Sequence, residues 1–288
     1  MIVDFILVGA VFISLILLWR CVYDSNRFVV VRYQIKSNKV KGNYRAVVVS
    51  DLHNKQFGKN NRLLLEEIHR CKPDGIWITG DIPTAVPNKK LDIALSLMKA
   101  LAEKYPVFYA NGNHEHRMKL YPETYGDMAD RYEEGLEQAG VFPMVNEKKR
   151  IPEQKITVYG VEIDRRFYKR FHNPKMEKDD LEETLGKADP DSFCVLLAHN
   201  PDYFPTYAEW GADLVLSGHI HGGMVRIPGW KGVVSPSVRL FPKYDGGRFE
   251  QDQSIMILSR GLGMHTIPIR LFNPGELVVV ELEGVQEE

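Results

Sequence analysis

The chain has 288 residues, 44% hydrophobic and 26% charged, which suffices for one large α/β domain or two small ones. A net charge of −1 gives no case for a surface that is basic overall and binds nucleic acid. Three cysteines (Cys21, Cys71 and Cys194), no two at metal-ligand spacing, give no basis for a disulfide framework or a thiolate site, and Cys194 sits in an apolar run as a small buried hydrophobe.

From Phe5 to Trp19 every residue is apolar, glycine or serine, and only Asp4 is charged before Arg20. At ~1.5 Å per residue this stretch nearly crosses a hydrocarbon core of roughly 30 Å. A cleaved signal peptide wants a basic residue before the run and a small-residue cleavage site after it. Here Asp4 precedes the run and Trp-Arg-Cys-Val-Tyr follows it. The expectation is an uncleaved single-pass membrane anchor over residues 1–23, with a buried core helix as the rival, and one domain over 24–288. Arg20, Arg27 and Arg32 all follow the run, so the positive-inside rule puts that domain on the cytoplasmic side of the cell membrane.

Residues 36–44 are polar and read as a strand edge and turn. Five short runs, at 46–50, 75–79, 107–110, 193–198 and 213–217, are apolar throughout, which predicts strands buried on both faces of a layered fold. Leu63, Leu64 and Ile68 predict a helix over 61–71 that Pro73 stops. Leu91, Leu95, Met98 and Leu101 predict another over 91–104. Residues 122–140 and 177–187 read as more polar surface helices. The last third shows no helical period, and its runs at 232–235, 254–258 and 277–282 read as strands. Units of βα first, then mostly β, predict an α/β fold of two packed sheets with helices outside.

Each of the five buried runs is followed by a polar loop carrying oxygen or imidazole ligands. These are Asp51-Leu52-His53, Gly80-Asp81, Gly112-Asn113 before His114-Glu115, His199-Asn200, and Gly218-His219-Ile220-His221. Strand C-terminal ends share one crevice in layered α/β folds, so loops far apart in sequence converge there. Carboxylate, amide oxygen and imidazole suit Mn, Fe, Zn or Ni rather than a soft thiolate site. Alternate strand residues point the same way, so Asp-x-His and His-x-His can each reach one ion. The glycines at 80, 112 and 218 would permit close backbone approach or positive φ. One such block alone is more often a helix cap, a turn or a surface pair. Five in succession, each at a strand end, carry the inference.

In order from about residue 45 to 225, these blocks resemble the signature of the calcineurin-like metallophosphoesterases. Ser259-Arg260-Gly261-Leu262-Gly263 with Arg270-Leu271-Phe272-Asn273-Pro274 is similar to a bacterial branch of the family with N-terminal membrane anchors. The resemblance implies a four-layer sandwich of two mixed β-sheets flanked by helices, behind the N-terminal transmembrane helix. It implies one divalent metal on Asp51, His53, Asp81 and His221 and another on Asp81, Asn113, His199 and His219, with Mn²⁺ ahead of Fe, Zn or Ni. A hydroxide bridging the two would attack phosphorus in line. His114 would not be a ligand but would protonate the leaving oxygen or stabilise the transition state. Two positions depart from many relatives: Ile82-Pro83-Thr84 stands where a second Asp is common, and Met224 where Gln is common. Neither is a primary ligand, and both bear on substrate preference.

The implied activity is hydrolysis of diester or pyrophosphate bonds, with the anchor pointing to a membrane-associated, lipid-linked substrate. No protein partner is expected. A metal-binding scaffold without activity is the alternative from another class, and retention of all seven ligands counts against it. A nuclease of the same fold is a third reading, and the near-neutral charge counts against that. The basic-aromatic stretch 165–171 reads equally as a contact for an anionic substrate or membrane and as a loop packed on the domain. His116 is expected as an exposed loop residue, His265 as structural, and His69 and His172 as surface residues.

Overall fold

The computed structural model describes residues 1–168, 174–228, 230–234, 240–264 and 268–285. His172, His265, residue 235 and residues 169–171 of the basic-aromatic stretch therefore lie outside the described residues. Helix α1 (Ile2–Ser25) is long and apolar enough to cross a membrane, and its most apolar eighteen-residue window is wholly unburied. A core helix would bury those side chains, so that rival reading does not describe α1.

The first half of the chain builds one sheet and its helices. It runs β1 (Phe28–Ser37), β2 (Asn43–Val49), α2 (Arg62–Cys71), β3 (Gly75–Ile78), α3 (Asp92–Ala102), β4 (Val107–Tyr109), α4 (Asn113–Leu120), α5 (Pro122–Tyr125), α6 (Met128–Gln138) and β5 (Phe142–Pro143). The second half builds another. It runs β6 (Glu147–Ile151), β7 (Ile156–Val161), α7 (Lys178–Leu185), β8 (Phe193–Ala198), α8 (Phe204–Trp210), β9 (Leu214–Ser217), the ribbon β10 (Val225–Arg226) and β11 (Gly232–Val234), then β12 (Gly247–Gln251) and β13 (Ser254–Leu258). The last strand, β14 (Gly275–Gly284), returns to the first sheet. The sheet orders are β1-β14-β2-β3-β4-β5 and β12-β13-β9-β8-β7-β6, and each mixes parallel with antiparallel pairs.

The pleat explains why the central strands are apolar throughout. In β2, Ala46 and Val48 point into the core between the sheets, while Val47 and Val49 point out under α2 and α3. In β8, Phe193, Val195 and Leu197 face the first sheet, and Cys194, Leu196 and Ala198 pack with Leu181, Tyr207 and Trp210 of the outer helices. Three apolar layers thus separate four layers of structure, helix–sheet–sheet–helix, as expected.

The differences have local causes. The helix expected over 122–140 breaks at Gly126, whose φ of 60° leaves the helical region, giving α5 and α6. Helix α4 has no sequence signal, because Asn-His-Glu-His-Arg-Met-Lys-Leu carries no apolar stripe. Helix α8 lies in the supposedly helix-free third and is only seven residues long. Strands β1, β6, β7 and β12 were also not anticipated. β6, Glu-Lys-Lys-Arg-Ile, is an edge strand, where charged side chains are the expected guard against pairing with another chain.

Candidate metal centre

The loops after β2, β3, β4, β8 and β9 meet at one edge of the two sheets. They bring Asp51 and His53, Asp81, Asn113 and His114, His199, and His219 and His221 together. The strand-pleat account of their spacing is wrong, however. Asp51 (φ 51°), His53 (φ 49°), Asp81 (φ 56°), His219 (φ 73°) and His221 (φ 54°) are all left-handed and lie beyond the strand ends. Side chains two apart converge because turns, not pleats, aim them. The three glycines expected to permit close backbone approach or positive φ all do one or the other: Gly80 has φ 95° and a Cβ there would collide with the Gly112 backbone, while one on Gly112 would collide with Asp81 and one on Gly218 with Ser50 and Asp51. A left-handed non-glycine costs ~1–2 kcal/mol, and backbone bonds hold these positions. Asp51 N–H donates to Gly80 O (3.0 Å), His53 N–H to Asp81 O (3.0 Å) and Gly263 N–H to Asp51 O (2.6 Å).

Asp51 and Asp81 are both buried, at 0% and 1% exposure, with imidazoles around them. The His221 Nε2 lies 3.2 Å from Asp51 Oδ1, and the His199 Nε2 lies 3.1 Å from Asp81 Oδ2 and 3.8 Å from Asp51 Oδ1. His53 and His221 stack with their Nε2 atoms 3.1 Å apart, and His53 Nε2 is 3.8 Å from Asp81 Oδ2. Burial raises the pKa of either carboxyl, yet His221 and His199 hold Asp51 below the usual range, and His199, His114 and His53 do so for Asp81. Burial favours neutral His199, but Asp81 and Asp51 push it up to about 10. A bound cation would replace that proton.

The donor set fits metal ions. Three groups, Asp51-His53-His221, Asp81-His199-His219 and His53-Asp81-His114, each bring their ligand atoms within 4.8 Å of one another. The Asn113 Oδ1 is buried with no hydrogen-bond partner among the described residues, an acceptor that a cation would satisfy. The His199 Nδ1 sits 2.6 Å from Thr79 O, so it donates there and leaves Nε2 free of a proton in the neutral ring, as a metal ligand requires. His114 is the reverse. Its Nδ1 accepts the Ala85 N–H at 2.9 Å, so the neutral ring carries its proton on Nε2. Burial lowers its pKa, against the pull of Asp81, and its ring packs edge-on to His53 at 4.8 Å.

Two sets of residues that shape the site were not singled out as functional from sequence. Glu115 accepts from the backbone N–H of Asp81, Ile82 and Gly112, each at 3.0 Å, and from the Tyr109 hydroxyl at 2.6 Å. It ties the Asp81 loop to the start of α4. Burial and Asp81 push its carboxyl up to about 8, and all four partners are donors, which the ionised form satisfies fully. Glu115→Ala strands three buried N–H groups at ~1–3 kcal/mol each. The expected result is a large fall in melting temperature together with lost metal binding, and an unchanged melting curve would refute this role. Arg270 is the second case. Its buried guanidinium donates to the carbonyls of Gly261, Gly263 and Asn273, while Asn273 Nδ2 donates to His221 O (2.7 Å) and Gly223 O (2.6 Å). The visible signal was an arginine and an asparagine flanking apolar residues in Ile-Arg-Leu-Phe-Asn-Pro.

The remaining expectations divide. His116 is not an exposed loop residue but half-buried on α4, 3.1 Å from Ile163 O. His69 is half-buried on α2, its Nδ1 3.0 Å from the Tyr105 hydroxyl. In the basic-aromatic stretch Arg165 lies over Tyr121, Arg166 pairs with Asp180 and Phe167 is buried, which is the packing alternative. Tyr168, however, packs edge-on against His219 at 5.1 Å and borders the site. Met224 is a backbone link, bonded to Val234 and Leu271.

Carboxylates and imidazoles gathered at the strand ends of two packed mixed sheets define an α/β protein with a candidate metal centre. The profile of the calcineurin-like phosphoesterases matches residues 44–223, well over half of the chain. The chain belongs to that family, whose members bind divalent metals, and is a metal-dependent phosphoesterase. It is 28% identical over 264 residues to a metallophosphoesterase of Aquifex aeolicus, covering 88% of this chain and 92% of that one. It is 25% identical over 247 residues to the metallophosphoesterase YkuE of Bacillus subtilis, covering 84% and 79%. It is 22% identical over 272 residues to the UDP-2,3-diacylglucosamine pyrophosphatase LpxG of Chlamydia muridarum, covering 82% of each.

Proposed function

We propose that the protein hydrolyses a diester or pyrophosphate bond in a membrane-associated, lipid-linked substrate. In this reading residues 1–23 anchor a catalytic domain, residues 24–288, on the cytoplasmic face of the cell membrane. Asp51, His53, Asp81 and His221 hold one metal, and Asp81, Asn113, His199 and His219 the other, with Mn²⁺ preferred over Fe, Zn or Ni. The carrying observation is that Asp81 is common to two of the three ligand groups, one with His199 and His219 and one with His53 and His114. Bound there, the ions supply Lewis acidity and a water activated near neutral pH.

The chain's own residues do the rest. Asp51 and Asp81 supply the negative charge that makes a cation favourable in a buried site. The Thr79 carbonyl orients His199, and Glu115 fixes the loop that carries Asp81. His114 directs an N–H toward the reacting group. The LpxG relative is named a UDP-2,3-diacylglucosamine pyrophosphatase, which favours a pyrophosphate bond here; the apolar exposed α1 favours a substrate held at a bilayer.

The test is turnover of a chromogenic phosphodiester by the purified full chain. Activity is expected with Mn²⁺, is lost on chelation, and returns on re-addition. Activity that persists after exhaustive chelation, with no metal found by mass spectrometry, would overturn the reading.

A further inference from the structure

A set of exposed apolar side chains lies on the segments that follow the His221 loop and return to it through Asn273. It is built on the β10–β11 ribbon. Arg226 N–H donates to Leu271 O, Leu271 N–H to Met224 O and Met224 N–H to Val234 O, and Phe241 N–H to Val233 O, all within 2.7–3.0 Å. Five large hydrophobic side chains on these segments face solvent: Ile227 (41% exposed), Trp230 (59%), Leu240 (67%), Phe241 (53%) and Ile269 (42%). Trp230 and Phe241 lie ring to ring at 6.1 Å. The other exposed large hydrophobics outside α1, such as Leu63, Val86 and Leu120, are scattered singly, which is ordinary for a protein surface.

The level of this set follows from α1. Trp19 and Tyr23 stack at 5.5 Å around Arg20, the first cation after the apolar run, and such aromatic–basic clusters mark the level of lipid headgroups. The Arg20 guanidinium lies 5.2 Å from the Phe272 ring centroid and is fixed by Asp24 at 2.8 Å. Phe272 follows Leu271, the residue that pairs with the ribbon. The headgroup-level end of α1 and the exposed apolar cluster are therefore joined through one short segment. The next residue, Asn273, holds the His221 and Gly223 carbonyls.

We infer that Ile227, Trp230, Leu240, Phe241 and Ile269 form a second membrane contact, seated in the lipid interface beside α1. It rests on the reading of α1 as a membrane anchor. A bilayer suits these residues because indole and phenyl rings favour the interface and the aliphatic side chains the region just beneath. The contact holds the His221 loop near the headgroups, so that the phosphoester of an amphiphile is reached without lifting its chains from the bilayer.

The experiment uses the full chain with Trp19→Phe, so that the remaining indoles are the buried Trp77 and Trp210 and the exposed Trp230. The protein is reconstituted into phosphatidylcholine–phosphatidylglycerol vesicles containing a lipid with a nitroxide near its headgroup. The expected result is strong quenching of a blue-shifted component that disappears in Trp230→Phe, with that component shielded from aqueous iodide. Quenching by iodide and not by the nitroxide would overturn the contact. Shielding from both would also overturn it, because a second copy or another protein would then cover the patch. Failure of the chain to float with the vesicles would defeat the anchor and this contact together. None of these outcomes depends on turnover, so loss of the proposed hydrolysis would be read separately on the soluble diester.

Discussion

Asp81→Asn is expected to abolish turnover, lowering kcat by ~10³-fold or more, because disturbing the carboxylate proposed as shared between two metals forfeits several kcal/mol of transition-state stabilisation at ~1.4 kcal/mol per tenfold. The substitution is close to isosteric, so the backbone bonds from His53 N–H to Asp81 O and from Asp81 N–H to Glu115 remain possible. What changes is charge. Asp81 is buried at 1% exposure and faces His199, His53 and His114. The neutral amide would lose the carboxylate's attraction for a cation held there. Metal analysis should find fewer than two ions per chain, and Mn²⁺ should raise the melting temperature of the variant far less than the rise expected for the parent, since stabilisation by a ligand scales with its affinity for the native state. A variant that binds two ions and keeps activity would remove Asp81 from the bridging position.

The site is legible because its parts repeat, and the repetition holds although turns rather than strand pleats set the local geometry. Asp51, His53, Asp81, His219 and His221 are left-handed; Asp and His are enriched among non-glycine residues in that region, but it stays uncommon even for them, so residue type alone does not mark these five. The conformation is imposed by partners from distant segments: Gly80 for Asp51, and Gly263 for the carbonyl of Asp51. The central strands were legible because burial on both faces leaves an unbroken apolar run. Strand β1 was not, although Phe-Val-Val-Val opens it, because it follows the anchor directly and its parallel partner β14 lies at the far end of the chain. Glu115 was read only as part of a motif. That a carboxylate accepts three backbone N–H groups from two loops is a tertiary fact, with no periodic trace in sequence. Helix α4 was hidden for the same reason. Its positions 113 to 115 are dictated by the site, and only Met118 remains to mark an apolar face.

His114→Ala separates the two roles that the family resemblance left open. With Nδ1 engaged by the Ala85 N–H, the neutral ring has only its Nε2 proton to offer. Giving that proton away completely would leave an imidazolate, which a buried site beside Asp81 disfavours. A hydrogen bond that strengthens as charge builds on the phosphoryl oxygens has no such penalty. Loss of one such donor costs ~10²–10³ in kcat. The expected result is a fall of that size, with two metals still bound and KM little changed, and of similar size for a nitrophenolate and for an alkoxide leaving group. A loss confined to the alkoxide would mean that His114 protonates the leaving oxygen after all. Loss of metal would instead make it a ligand, as its place in the His53-Asp81-His114 group permits. The Ala85 contact favours the donor role, because it fixes the tautomer through a backbone group that can only donate.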